Sequence, residues 1–96
     1  MAISNLNSVQ QQIRDFIYKH GGRYNDYYVG ITDNIPERLS AHSIIAILDD
    51  YFSKDLEIEE LARKVEAEFI ELGCDGGDGG GKNPTIVYVY KKNSHT

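Results

Sequence analysis

The chain has 96 residues, 41% hydrophobic and 26% charged, with 7 Tyr and no Trp. That is enough for one domain (1–96) with a small core, burying roughly 60–65% of the unfolded chain's surface. Ten basic against fifteen acidic residues give a net charge of −5, which counts against tight gripping of a nucleic-acid backbone, because that binding is driven by counterion release.

The longest apolar run, "IIAIL" (44–48), is far too short to span a bilayer. The start, "MAISNLNSVQQQ", lacks the basic-then-apolar pattern of a leader. A lone Cys74 can build neither an internal disulfide nor a zinc site. The expectation is a cytoplasmic protein without a membrane partner. The acid is unevenly spread: "DLEIEELARKVEAEFIE" (55–71) holds seven of the fifteen acidic residues. Arg14, Lys19, His20 and Arg23 gather near the start, and "KKNSHT" is basic. A locally positive surface is compatible with the acidic total.

In chain order, "NSVQQQIRDFIYKHGG" reads as a helix. Val9, Ile13, Phe16 and Ile17 recur at steps of three and four, Asn7 or Ser8 can cap the start, and Gly21-Gly22 stops it. "DYYVGIT" is aromatic and β-branched and reads as a strand. "TDNIPER" opens a second helix: Asp33 or Asn34 can accept orphan amide hydrogens, and Pro36 suits the first turn. That helix carries Arg38, Leu39 and His42. "SIIAILDDYFSKD" either prolongs the helix or forms a short strand near Leu48 to Phe52, the reading preferred here.

The third helix spans "EIEELARKVEAEFIELG", with Ile58, Leu61, Ala62, Val65, Phe69 and Leu72 as its apolar stripe and Gly73 as its terminator. "CDGGDGGGKNP" reads as a loop, since so many glycines carry too much backbone entropy for an element. "TIVYVYKK" closes as a strand. The expected fold is α+β: a small, mostly antiparallel three-stranded sheet flanked by three helices.

"YYVGITDNIPERLSAH" resembles the second half of a GIY-YIG nuclease core. The family follows its YIG strand with a pattern close to G-x-T-x-N-x-x-x-R-L-x-x-H. Tyr28-Val29-Gly30, Thr32, Asn34, Arg38, Leu39 and His42 fall in step with it. The family's later helix often carries an alanine four residues before a metal-binding glutamate, as Ala62 and Glu66 stand here. The opening GIY strand has no clear counterpart, because "FIY" (16–18) lies inside a helical pattern. "TIVYVY" is a candidate for the vacated sheet position.

The resemblance implies a metal-dependent endonuclease hydrolysing phosphodiester bonds in DNA or RNA. Glu66 would hold Mg²⁺ (or Mn²⁺), a cation that needs few protein ligands because it keeps most of its water. Arg38 would present a charged fork to phosphate oxygens. Tyr28 would orient or activate water, and His42 would relay a proton. Thr32 and Asn34 would contact substrate. Glu66 projects about 80° from the middle of the apolar stripe, at the rim of the buried face.

Each residue also has a plainer reading: a cross-strand aromatic, a solvated arginine, a structural histidine, one acid among many. The alternative function is accordingly a catalytically inactive GIY-YIG-like interaction module. "GGDGGGKN" (76–83) is no nucleotide loop, because it lacks the final Ser or Thr and precedes a strand instead of a helix. Calcium binding by Asp75 and Asp78 lacks regular ligand spacing. A homodimer paired through an edge strand such as "TIVYVY" is compatible with either function, with Lys91 and Lys92 discouraging uncontrolled pairing.

Overall fold

The computed structural model describes residues 6–37, 51–77 and 83–92. Helix α1 (Leu6–Lys19) buries Val9, Ile13 and Ile17. It begins before Asn7 and Ser8, so neither is its cap. Its chain exit depends on glycine: Gly21 and Gly22 take φ of 134° and 80°, and the Gly22 amide donates back to the Ile17 carbonyl at 2.7 Å. A 3₁₀ turn (Tyr24–Asp26) then leads into β1 (Tyr27–Thr32).

Residues 35–37 are helical, starting where the sequence placed a second helix. Strand β2 (Tyr51–Asp55) lies slightly later than the Leu48–Phe52 expectation, and residues 48–50 fall outside the described residues. Helix α2 (Glu59–Leu72) ends at Gly73, φ 127°. Strands β3 (Asp75–Gly76) and β4 (Ile86–Lys91) complete the order.

The sheet is four-stranded and mixed, in the order β2-β4-β1-β3. Strand β4 pairs antiparallel with β1, from Tyr27↔Lys91 to Thr32↔Ile86, and with β2, from Tyr51↔Tyr90 to Asp55↔Ile86. The α+β class is as expected from the sequence, but the sheet is four-stranded and mixed where a mostly antiparallel three-stranded one was expected. The fourth strand is new: Asp75 and Gly76 run parallel to Tyr28 and Val29, inside a stretch read as loop. It fits because Gly76 lacks a Cβ, which would stand 2.5 Å from the Val29 carbonyl oxygen. "TIVYVY" is not an edge. With neighbours on both sides, β4 cannot be the strand through which two copies pair.

Alternation sorts the strands onto two faces. Tyr27, Val29, Ile31, Val87 and Val89 meet Val9, Ile13 and Ile17 of α1 and Ala62, Val65 and Phe69 of α2 in one core. Tyr88 and Tyr90 form a second buried cluster on the other face, with Tyr28, Tyr51 and Ile35 packed against it. Buried Tyr27 anchors β1 to α1 by donating its phenol to the Ile17 carbonyl at 3.0 Å. Cys74 is buried and free. Burial first, then nearby Asp75, raises its thiol to about 11, which leaves it protonated and unreactive at neutral pH. Among the described residues no helix is long and apolar enough to cross a membrane.

Candidate functional site

Helix α2 runs antiparallel to β1. Its C-terminal Gly73 packs against Tyr24, just before the strand, and its start follows Asp55, which shares a row with Ile86 and Thr32. Ile70 rests against Gly76, the partner of Val29. Glu66 sits one turn earlier on the same flank, about 6 Å nearer the Thr32 end of β1. The level of the two β3 pairs is thereby passed, and among the described residues β1 has no further β3 partner.

Glu66 is only 8% exposed, not at a wet rim as its helical projection suggests. The reason is the roll of α2: its buried arc is Ala62, Val65, Glu66 and Phe69. The stripe's two ends, Ile58 and Leu72, are 39% and 45% exposed. Among the described residues the Glu66 Oε2 atom has no hydrogen-bond partner. Burial pushes its carboxyl above the usual carboxylate range, and the nearby Arg63 charge pulls it back by less. Arg63 itself donates from Nε to Glu59 at 2.6 Å.

A buried carboxylate without a partner is costly, and a cation is one way to compensate it. No three His, Cys, Asp or Glu side chains cluster as a metal cage among the described residues. Glu66 is thus a single carboxylate donor, and of the common cations Mg²⁺ is the one that can bind through one protein carboxylate with water completing its shell.

Tyr28 belongs to the opposite face. In register with Tyr90 and Tyr51, its ring stacks on Tyr90 at 5.4 Å and 19° and on Tyr88 at 6.2 Å and 27°. Tyr90 is held as a neutral phenol, raised to about 12 by burial first, then by Tyr28 and Asp75. The helix carrying Glu66 covers one face of the sheet, and Tyr28 occupies the other.

Thr32 and Asn34 shape the turn between them. The Thr32 hydroxyl accepts the Asn34 amide at 2.9 Å and faces the Asn34 carbonyl at 3.2 Å. Asn34 Oδ1 accepts the Glu37 amide at 3.1 Å, as a helix cap does. The sequence expectation that Asn34 can cap this helix is met. Arg38 and His42 lie outside the described residues.

No family model, characterised protein or solved structure matches the chain. The functional case therefore stands on its own residues. Sequence reasoning missed the tyrosine row, although Tyr51, Tyr88 and Tyr90 all carry the strand alternation that builds it. It also missed the depth of Glu66, for which no local signal exists.

Proposed function

We propose that the protein is a GIY-YIG-like, metal-dependent endonuclease that hydrolyses phosphodiester bonds in DNA or RNA. One observation carries the reading: buried Glu66, whose Oε2 has no hydrogen-bond partner among the described residues, at the position where the resemblance expects a metal ligand. Glu66 would hold Mg²⁺ or Mn²⁺, and that cation would supply Lewis-acid neutralisation of charge at the scissile phosphate.

Arg38 binds non-bridging oxygens through its guanidinium fork. Thr32 and Asn34 fix the turn that opens the helical residues 35–37, and their further contribution is to meet substrate. Tyr28 orients the attacking water, and His42 carries the proton. A second reading, a non-catalytic interaction module of the same fold, is favoured by one feature: Tyr28 is stacked in the tyrosine row on the face away from α2.

The test is nicking of supercoiled plasmid and cleavage of single-stranded RNA in Mg²⁺ or Mn²⁺. Wild type is expected to cut, with Glu66→Ala and Arg38→Ala each about 100-fold slower or worse, the scale of losing a charged stabiliser of the transition state. Equal rates in all three proteins, or no cutting by wild type, would favour the interaction module.

A further inference from the structure

Arg14, one of the basic residues that gather near the start of the chain, has no part in that chemistry, and it lines a cleft. Gln11, Arg14, Asp15 and Tyr18 follow each other at steps of three, one and three on α1, so they form one exposed stripe of the helix. With Tyr24 and Ile17 they line a cleft of about 270 Å³. Tyr18 is 83% exposed, a large aromatic ring on which the fold's own packing makes no call.

The cleft lining holds one cation, Arg14, and one carboxylate, Asp15, with Glu68 beside Arg14, while the segment that builds it is slightly basic. Residues 1–26 contain three Lys and Arg but only two Asp and Glu, in a chain of net −5. Lys91 adds a further cation at this end of α1, where its Nζ donates to the His20 carbonyl at 2.8 Å. Arg14 touches Glu68 only at 3.4 Å, and Arg23 reaches Asp26 at 3.7 Å. Both separations exceed a charge-assisted bond of about 2.8 Å, so a phosphate can compete for these groups.

We infer that this cleft binds an unpaired nucleobase and its phosphate, and so holds a single strand of nucleic acid. The inference rests on the reading that the protein acts on nucleic acid. Tyr18 offers the stacking face, which every base can use and a closed duplex does not present. Gln11 donates to Asp15 at 2.9 Å, which holds the amide so that its carbonyl and the second carboxylate oxygen can accept from a base edge. Arg14 meets the phosphate.

The test is fluorescence anisotropy of a labelled 12-nucleotide strand, as DNA and as RNA, and of the same DNA as a duplex, all in EDTA. Tyr18→Ala is expected to weaken single-strand binding by about 5- to 100-fold, the contribution of one stacked base, while Tyr18→Phe binds as wild type does. Arg14→Gln is expected to lower the slope of log affinity against log salt by about one phosphate contact. The DNA and RNA arms show which sugar is preferred.

Unchanged affinity in Tyr18→Ala, no single-strand binding by wild type, or equal affinity for duplex would each overturn the site. Without divalent cation the assay is independent of cleavage. Strand binding that depends on Tyr18 in a protein that cuts nothing keeps this site and removes the hydrolysis. Cleavage with no dependence on Tyr18 does the reverse.

Discussion

Glu66→Met is expected to make the protein more stable at pH 8 while abolishing cleavage. Met matches Glu in length and helix propensity and removes a buried carboxylate whose Oε2 has no hydrogen-bond partner among the described residues. The folded pKa of Glu66 is raised above its ordinary value of 4.5. The stability this group contributes is therefore complete below the ordinary carboxyl range and is lost as pH rises through the raised value. Above that raised value the wild type carries the cost of burying the charge.

The gain from Met should be about 1–3 kcal/mol there, the desolvation cost of an unsatisfied buried group. Each kcal/mol moves Tm by about 4–8 °C in a domain of this size. The gain should shrink towards pH 4, where the carboxyl is neutral. Thermal unfolding followed by circular dichroism between pH 4 and 8 measures it, and a pH-independent difference would remove Glu66 as a strained charge. Both outcomes together, greater stability and lost cleavage, would mark Glu66 as part of a site whose requirements oppose stability.

The second large effect lies on the other face. A Cβ on Gly30 would stand 2.6 Å from the Tyr88 ring and hydroxyl, closer than any real contact allows. Tyr88 cannot swing clear cheaply, because it is 1% exposed and its ring stacks on Tyr28. Gly30→Ala should therefore cost about 1–3 kcal/mol, read as a lowered urea midpoint with an unchanged slope. Combined with Tyr88→Leu, the Gly30 substitution should add much less, since the group it strikes is gone. The glycine of "YVG" thus has a packing role that stands independently of any chemistry.

How much of this the sequence discloses depends on whether the determinant is local. Helices α1 and α2 follow from apolar steps of three and four. Strands β1 and β4 follow from runs of aromatic and β-branched residues. Asn34 is legible as a cap because a short polar side chain before Ile35-Pro36 has that one economical use. Strand β3 carries no local signal: Asp75-Gly76 has poor strand propensity, and it pairs only because Gly76 admits the Val29 carbonyl. That β4 is central is a property of topology, hinted at only by its unbroken buried run Val87–Tyr90.

For the site, the spacing Ala62–Glu66 and the Tyr28–Gly30–Thr32–Asn34 order are visible as pattern. The roll that takes Glu66 inside depends on packing against the sheet, which no helical projection contains. The stacking of Tyr28 beside Tyr90 likewise needs the β1–β4 register, and the separation of Tyr28 from α2 needs to know which face the helices cover.

The central claim, that Glu66 holds a divalent cation, is tested most directly by titrating the protein with millimolar Mn²⁺ at pH 8. Free Mn²⁺ is counted by its electron paramagnetic resonance signal in wild type and Glu66→Gln. The account predicts one fewer bound Mn²⁺ per chain in the variant, with weak binding at surface carboxylates common to both. Identical binding curves would contradict it.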